Sequence, residues 1–203
     1  MMLKKYADKI VFAIFVLQIT LVYKLIQAYF PTGYVFNMPF IDNNVPFLSV
    51  FAVPYLLYVA VLILPFAMTF KNKKHMLALS SSFLFASLVC NIFYVLFPTM
   101  VIRPEVLPST IFNRLVLFIY SIDGVTNCFP SEHVTFSILS NLCMVNIRKK
   151  IAYYMIPATA LVVIATLFIK QHYVPDVLAG MVLAFLSFLV FKKIMQKIAK
   201  ISF

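Results

Sequence analysis

Residues 58–70, YVAVLILPFAMTF, are apolar throughout and show no alternation of polar and apolar positions. A membrane-spanning β-barrel needs that alternation, whereas a spanning helix that faces lipid and other apolar helices does not. Residues 160–169, ALVVIATLFI, have the same character. Both stretches therefore predict α-helices that cross a membrane.

The rest of the chain has the composition of these two stretches. Its 203 residues are 64% hydrophobic and 11% charged, against roughly half and a quarter in a typical soluble domain. A helix needs about 20 apolar residues to cross a bilayer. Six runs approach that length: 10–30, 47–70, 76–97, 132–147, 151–169 and 177–195. The fourth and sixth are short, and we expect them to need flanking residues to reach both interfaces.

A seventh apolar segment, 111–122, contains Asn113 and Arg114 and is too short to cross a bilayer. Such a segment is typical of an interfacial or re-entrant helix. The sequence thus predicts an all-α membrane bundle of six transmembrane helices, with a short interfacial helix in the 98–131 segment. We expect it to form a single transmembrane domain over 1–203. A removable signal peptide is the alternative for the first run, but its length and the inserted Lys24 favour a retained helix.

The basic residues lie mostly on alternate connections between the runs. Of 17 basic residues, 13 precede the first run, follow the sixth, or separate the second run from the third and the fourth from the fifth. They are Lys4, Lys5, Lys9, Lys71, Lys73, Lys74, Arg148, Lys149, Lys150, Lys192, Lys193, Lys197 and Lys200. By the positive-inside rule, this predicts a multi-pass protein of the cell membrane with both termini cytoplasmic. The net charge of +11 is then explained by topology, and no nucleic-acid partner is expected.

Most of the remaining polar residues fall in the outward connections or at the outer ends of the runs. They are Arg103, Asp123, Asn127, Ser131, Glu132, His133, Lys170, His172 and Asp176. Ionisable residues are costly in a membrane and usually mark a functional site. We therefore expect these side chains to meet near the outer interface.

Three patterns in this group resemble those of the type 2 phosphatidic acid phosphatase (PAP2) superfamily of membrane lipid phosphatases and phosphotransferases. The family shows a Lys followed seven residues later by Arg-Pro, then Pro-Ser-Gly-His, then Ser-Arg with a His seven residues after the Ser and an Asp four after the His. Here RP at 103–104, PSEH at 130–133, and His172 with Asp176 fit these blocks in order and spacing. The resemblance covers residues 94–180.

The chain departs from the family pattern at several positions. Leu96 occupies the place of the first-block Lys, Glu132 that of the Gly, and Ala165 and Thr166 those of Ser-Arg. The texture of DGVTNCFPSEH and KQHYVPDVLAG looks closer to the branch related to inositol-phosphotransfer enzymes, where Ser-Thr often replaces Ser-Arg. Because Lys170 follows Thr166 by one helical turn, we expect both on one helix face, with Lys170 supplying part of the missing positive charge.

The residue types suit phosphoryl transfer, which needs donors around the phosphate, a nucleophile and an acid for the leaving group. Pro175 suits the first turn of a helix, where Asp176 could accept a bond from His172. That bond would raise the basicity of the other ring nitrogen and make His172 the nucleophile of a phosphohistidine intermediate. His133 is then the general acid, as the resemblance also implies.

The phosphate is expected to be bound by Arg103, by Lys170 and by the start of the fourth helix. There Ser131 is the predicted N-cap, and the backbone N–H of Glu132 could point at the anion. The Glu132 carboxylate would repel a dianion unless it turns away, is protonated, or pairs with Arg103 or Arg114. Supporting positions are expected at Asp123, Asn127 and Thr166.

No cofactor and no metal ion are expected. Cys90, Cys128 and Cys143 lack metal-type spacing and imply no disulfide framework. A metal hydrolase using Glu132, His133, His172 and Asp176 is an alternative, but a neighbouring Glu and His point poorly toward one ion.

Three functions remain open. The first is a phosphatase acting on a lipid phosphate or diphosphate at the extracytoplasmic side, with water releasing phosphate from phospho-His172. The second is a lipid headgroup phosphotransferase, in which an alcohol such as inositol replaces water. The third is a non-catalytic membrane protein of the same fold, which is disfavoured because polar residues gather at one interface and do not follow a path across the membrane. The sequence decides neither the lipid substrate nor the oligomeric state.

Overall fold

The computed structural model describes residues 6–201, with side chains up to residue 198. The basic residues Lys4 and Lys5, which contribute to the charge asymmetry, lie outside the described residues, as does the side chain of Lys200. The helices in chain order are α1 (Ala7–Leu17), α2 (Tyr23–Tyr29), α3 (Pro39–Asp42), α4 (Ala52–Thr69), α5 (Lys73–Leu96), α6 (Ile111–Ile122), α7 (Glu132–Ile147), α8 (Lys149–Phe168) and α9 (Val174–Ile201).

Short irregular elements complete the helices. A π-helical turn, Gln18–Val22, joins α1 to α2, and a 3₁₀ turn, Ser49–Phe51, precedes α4. Two strands that the sequence did not predict, β1 (Tyr34–Val35) and β2 (Thr99–Met100), pair in parallel. This pairing holds together the connections that follow α2 and α5.

Within the described residues, five helical stretches are long and apolar enough to cross a membrane. They are Ala7–Tyr29, Ser49–Thr69, Lys73–Leu96, Lys149–Phe168 and Val174–Ile198. An all-α, membrane-type bundle is therefore confirmed, and the short seventh segment is the helix Ile111–Ile122. The sixth run is extended by flanking residues, as expected: α9 has 28 residues, because the helix starts before the apolar run and continues through the lysines that follow it.

Helix α7, the fourth predicted span, differs from these five. It has 16 residues, about 24 Å at 1.5 Å per residue, and so falls short of the other spans. It packs against α4, α5, α8 and α9, and its buried side chains include Thr135, Ser137, Ser140 and Asn141. Since α7 is surrounded by helices, its sequence needs less apolar surface than a helix that faces lipid.

An aromatic cluster joins α7 to the first half of the chain. The rings of Phe15, Phe66, Phe83 and Phe136 lie with centroids 5.0 to 5.7 Å apart. These residues belong to α1, α4, α5 and α7, respectively. Helices in a membrane associate by close packing of this kind, because lipid is as apolar as the side chains. The cluster keeps α1 and α4 against the central helix.

The start of α7 lies directly on the start of α9. The backbone N–H of Ser131 donates to the carbonyl oxygen of Asp176 at 3.1 Å, and the hydroxyl of Thr135 donates to the carbonyl oxygen of Gly180 at 3.2 Å. A Cβ atom at Gly180 would lie 2.8 Å from the carbonyl oxygen of Ser131. The close approach therefore depends on glycine, and it brings residues 130–133 beside the 172–176 segment.

Candidate active site

His172 and Asp176 form a buried pair at the start of α9. Nδ1 of His172 lies 3.4 Å from Oδ2 of Asp176, and the two side chains are 5% and 0% exposed. The same Oδ2 accepts a hydrogen bond from the backbone N–H of Tyr173 at 2.9 Å, which fixes the carboxylate. Pro175 lies in the first turn of the helix. The carboxylate faces Nδ1, so Nε2 is the ring nitrogen left for chemistry.

His133, in the first turn of α7, places a second imidazole against the first. Its Nδ1 lies 3.4 Å from Nε2 of His172. On the other side of the ring, Nε2 lies 2.7 Å from the hydroxyl of Tyr55 and 3.5 Å from Oδ2 of Asp123. Two imidazoles thus lie in contact between two carboxylates, in the order Asp176, His172, His133 and Asp123.

Asp123, at the end of α6, accepts hydrogen bonds from two phenols. The hydroxyls of Tyr23 and Tyr55 donate to its two oxygens, each at 2.9 Å. Burial raises the pKa of Asp123, but His133 and these two hydrogen bonds outweigh burial and hold that pKa below its ordinary value. The side chain is therefore a carboxylate at neutral pH, positioned beside Nε2 of His133.

The two tyrosines, which come from α2 and α4, were not predicted as site residues. A phenol inside a spanning helix needs a hydrogen-bond partner, because lipid offers none. Tyr55 and Tyr58 are three residues apart near the start of α4, so they share a helix face. For Tyr55, that pair of phenols near the N-terminal end of an apolar helix was the available signal.

A cavity of about 270 Å³ opens beside His133. Its polar lining residues are Tyr23, Lys24, Tyr55, Tyr58, Asp123, Glu132 and His133. Its apolar lining residues are Ile19, Leu56, Val59, Leu62, Ile119 and Ile122. The cavity therefore suits a molecule with a polar head and a hydrocarbon chain, and the head would meet His133 before the deeper His172.

Ser131 and Glu132 begin α7 at the edge of this cavity. Ser131 is the N-cap, because its hydroxyl accepts from the backbone N–H of Val134 at 3.3 Å. Glu132 is 7% exposed, and its Oε1 has no hydrogen-bond partner within residues 6–201. Pairing of Glu132 with an arginine is not formed, since Arg103 and Arg114 both donate to backbone carbonyl oxygens.

Arg103 is near the site, and its terminal nitrogens are occupied, whereas its buried Nε has no hydrogen-bond partner among the described residues. One terminal nitrogen donates to the carbonyl oxygens of Asp123 at 3.0 Å and Gly124 at 2.5 Å, and also to the side-chain oxygen of Gln171. The guanidinium group lies over the ring of Tyr120, 4.2 Å from its centroid. Arg103 therefore joins the end of α6 to the segment before α9, and contact of its terminal nitrogens with a phosphate would require exchange of these bonds.

Lys170 does not line the cavity. Helix α8 ends at Phe168, and Lys170 has a φ of 54°, in the left-handed region. The expectation that Lys170 and Thr166 share one continuous helix face was therefore wrong. The ammonium group of Lys170 donates to the carbonyl oxygens of Val45 at 2.5 Å and Asp42 at 3.3 Å, so it holds the 39–45 segment.

Thr166 and Asn127 support the backbone around the site. The carbonyl oxygen of Thr166 accepts from the backbone N–H groups of Gln171 at 2.9 Å and His172 at 3.1 Å. This closes the end of α8 and sets the start of the His172 segment. The side-chain amide of Asn127 donates to the carbonyl oxygen of Tyr23 at 3.1 Å, which ties the α6–α7 connection to α2.

Within residues 6–201, the metal-hydrolase set of Glu132, His133, His172 and Asp176 does not form one cluster of possible ligands. A trio that shares two of these residues does. Ligand atoms of Cys128, His172 and Asp176 lie within 4.8 Å of one another, and all three residues are buried. Burial raises the pKa of the Cys128 thiol, which therefore stays protonated and donates to the carbonyl oxygen of Val125 at 3.2 Å. In this structure the thiol is engaged by Val125, while Asp176 faces His172.

One comparison with known proteins matches the part of the chain that contains the two histidines. A model of the PAP2 superfamily matches residues 75–200, more than half of the chain. The match contains Arg103, residues 130–133, His172 and Asp176. Among curated proteins and solved structures, none matches the chain. Tyr23, Lys24 and Tyr55 lie before the matched segment, so part of the cavity comes from outside it.

Proposed function

The chain belongs to the PAP2 superfamily, whose members are typically phosphatases or phosphotransferases, and we propose that it is a membrane lipid phosphatase. The substrate in this proposal is a lipid that carries a phosphate monoester or diphosphate. The cavity beside His133 supports it most directly, because its lining combines apolar side chains with ionisable groups.

The shape of the cavity argues for a lipid. Ligand pockets commonly measure about 300 to 1,000 Å³, so a volume of about 270 Å³ accommodates a headgroup and little more. The apolar lining comes from α4, α6 and the π-helical turn that follows α1, and both that turn and α4 belong to stretches able to cross a membrane. The hydrocarbon chain of the substrate would then continue from the cavity into the bilayer.

The first chemical step transfers the phosphoryl group to His172. Asp176 holds the proton on Nδ1 of His172, so Nε2 carries the free electron pair. Nε2 attacks the terminal phosphorus, the N–P bond forms, and the bond from phosphorus to the leaving oxygen breaks. The proton of His133 passes to that oxygen, which gives the lipid alcohol from a monoester and the lipid monophosphate from a diphosphate.

The second step releases phosphate. Water attacks the phosphorus atom of phospho-His172 and gives a proton to His133, the N–P bond breaks, and His172 returns to its neutral form. His133 is an imidazolium before the first step and again after the second. Asp123 lies beside its Nε2 and stabilises that positive charge. Nδ1, which faces His172, is then the nitrogen that gives and takes the proton.

The substrate must separate the two imidazoles. Their nearest nitrogens are 3.4 Å apart. Nε2 of His172 and the phosphorus atom alone need about 3 to 3.5 Å between them before reaction. The leaving oxygen lies beyond the phosphorus, so His133 must be farther from His172 when the substrate is bound. The side chain of His133 is 16% exposed and borders the cavity, so it is the ring that can move. In this proposal, the phosphate enters between the two rings.

The location of the site follows from the proposed topology. Basic residues at 71–74, 148–150 and 192–197 lie at the opposite ends of the helices from His133 and His172. By the positive-inside rule the termini are cytoplasmic and the site faces the extracytoplasmic side of the cell membrane. The protein acts as one transmembrane domain over 1–203 in this proposal.

A lipid headgroup phosphotransferase is the second candidate, and Glu132 favours it. Its Oε1 is buried without a hydrogen-bond partner among the residues described, and Glu132 lines the cavity. A buried polar atom of this kind suits a ligand that donates a hydrogen bond. The hydroxyl of an acceptor alcohol is such a donor, and it would take the place of water in the second step.

The test is a panel of lipid phosphates and diphosphates, assayed for released phosphate with the purified protein in lipid nanodiscs. The His172→Ala variant is expected to lose activity by roughly 10⁴-fold or more. The matched variant His75→Ala changes a histidine in the first turn of α5, away from the cavity, and is expected to keep full activity. Equal rates for native and His172→Ala protein would refute the proposed nucleophile.

The same panel separates the two candidates. Release of phosphate from the lipid alone supports the phosphatase. Turnover that requires added inositol or another alcohol, and that slows in Glu132→Gln while labelling of His172 by phosphate continues, supports the transferase. No turnover of any phosphate ester under either condition would exclude both.

A further inference from the structure

The site contains less positive charge for a phosphate than the family pattern provides. Leu96 and Thr166 stand where that pattern has Lys and Arg. The guanidinium of Arg103 and the ammonium of Lys170 both donate to backbone carbonyl oxygens. A phosphate dianion that enters the cavity also meets the carboxylate of Asp123. In the proposed mechanism that carboxylate is paired with the imidazolium of His133, so the two charges of the phosphate need a further cation.

Among the described residues that line the cavity, Lys24 is the only lysine or arginine. It lies in α2, near the outer end of the first spanning stretch. We infer that Lys24 is the cation that binds the substrate phosphate, in place of the two cations missing from the family pattern. This inference rests on the proposed function, and it assigns a binding role to a residue outside the matched segment 75–200.

The present partners of Lys24 place its ammonium group beside the reacting groups. Nζ donates to the carbonyl oxygen of Ile122 at 2.5 Å and to the side-chain oxygen of Gln27 at 3.1 Å. Ile122 directly precedes Asp123, whose carboxylate lies 3.5 Å from His133. The ammonium group therefore lies at the edge of the cavity. It contacts the residue directly before Asp123, whose carboxylate contacts the general acid His133.

Both partners can be exchanged for a phosphate. They are neutral oxygen atoms, and an ammonium group has three donors. A phosphate oxygen carries negative charge, so the ammonium would gain a Coulombic attraction that its neutral partners do not supply. The Lys24 side chain is exposed, so it can turn toward a headgroup without breaking a buried contact. The phosphate would then lie between Lys24 and His133.

The variants Lys24→Met and Lys24→Arg test the inference. The probe is orthovanadate, a phosphate analogue, titrated calorimetrically into the purified protein in nanodiscs. Removal of the charge in Lys24→Met is expected to weaken vanadate binding by about tenfold to a hundredfold, the usual effect of losing one charge-assisted hydrogen bond. Lys24→Arg keeps the charge and is expected to stay within about threefold of the native protein.

Kinetics on the preferred lipid phosphate give a second measure. Lys24→Met is expected to raise KM more than it lowers kcat, because the ammonium contacts the phosphate in the bound substrate as well as in the transition state. Lys71→Met, a change at the opposite end of the helices, is the matched control and is expected to bind vanadate with native affinity. Gln27→Ala removes a neutral partner of Lys24 and is expected to leave the affinity unchanged.

The outcomes separate this inference from the proposed function. Native affinity for vanadate in Lys24→Met would overturn the inference and leave the phosphatase proposal intact if His172→Ala abolishes turnover. Equal loss of affinity in Lys24→Met and Lys24→Arg would also overturn it, because that pattern reports a structural contact instead of a charge. Absence of vanadate binding to the native protein would overturn both.

Discussion

The molecule contains two imidazole–carboxylate pairs that are assembled in different ways. His172 and Asp176 are four residues apart at the start of one helix, with side chains 5% and 0% exposed. His133 and Asp123 come from the ends of two helices, with side chains 16% and 17% exposed. The His133 pair lines the cavity, whereas the His172 pair lies behind it.

The difference between the two pairs matches two different tasks. The local, buried pair keeps one geometry and one tautomer, which suits a nucleophile that must present the same nitrogen at every turnover. The second pair has Tyr55 as a further partner and borders the cavity, which suits a group that meets the leaving oxygen and then water. Substitutions in the two pairs should therefore differ in size and in kind.

The largest effect is expected from the buried pair. Asp176→Asn removes the charge that faces Nδ1 of His172 and allows the other tautomer, in which Nε2 carries the proton and cannot attack. We expect kcat to fall by roughly 10²- to 10⁴-fold, by analogy with loss of the carboxylate from a catalytic triad. Rates of lipid dephosphorylation measure it.

The thermal unfolding midpoint of Asp176→Asn serves as its control. Asn keeps an oxygen that can accept from the backbone N–H of Tyr173, so the helix start should form and the midpoint should stay close to that of the native protein. A fall in activity that merely follows a large loss of stability would argue against the role given to Asp176.

The half-buried pair, His133 and Asp123, is expected to show a smaller effect. Asp123→Asn removes the charge beside Nε2 of His133, and kcat should fall by about tenfold to a hundredfold. The variant should also change how stability depends on pH. The pKa of Asp123 is held below its ordinary value of 3.8, so the carboxylate stabilises the fold above that value, and the stabilisation is lost as the pH falls through its folded pKa.

Unfolding midpoints of the native protein and Asp123→Asn, measured from pH 7 downward, check the second half of this prediction. The native protein should be the more stable at neutral pH, and the difference should shrink once the pH falls below 3.8. A difference that is the same at every pH would show that the charge of Asp123 contributes nothing.

The sequence predicted contacts between residues that are close along the chain better than contacts between distant residues. The four-residue spacing of His172 and Asp176, with Pro175 between them, is enough to predict a pair at a helix start. The long apolar runs likewise predicted the helices. Both are local patterns, and a helix converts local spacing directly into position.

The second pair depends on packing that no local pattern specifies. Tyr23 and Tyr55 are 100 and 68 residues from Asp123, and only the packing of distant helices brings them together. The error at Lys170 has a related cause. The sequence suggested a helix that continues past Thr166, but α8 ends at Phe168 and Lys170 has a φ of 54°, which turns its side chain toward the 39–45 segment.

Tyr23 and Tyr55 differ in how they contact the half-buried pair, His133 and Asp123. Tyr55 contacts both Asp123 and His133, whereas Tyr23 contacts only the carboxylate. Tyr55→Phe is therefore expected to lower kcat by about fivefold, the value of one neutral hydrogen bond. Tyr23→Phe should have less effect, and both variants should keep the native KM. A larger loss in Tyr23→Phe than in Tyr55→Phe would contradict this order of contacts.

The smallest effect is expected at Lys170, near the buried pair in the chain but directed away from it. Its ammonium group donates to the carbonyl oxygens of Asp42 and Val45. Lys170→Ala should lower the unfolding midpoint slightly and change vanadate affinity by less than about twofold. Loss of vanadate binding with an unchanged midpoint would return Lys170 to the phosphate site.

The central claim is that His172 carries the phosphoryl group between the lipid and its acceptor. The direct measurement is a rapid quench in alkali after mixing with ³²P-labelled lipid substrate, followed by mass spectrometry of the labelled peptide. We predict an acid-labile phosphate on His172 that appears before the product and is absent from His172→Ala. Steady turnover with no phosphorylated enzyme at any quench time, or phosphate on another residue, would contradict the claim.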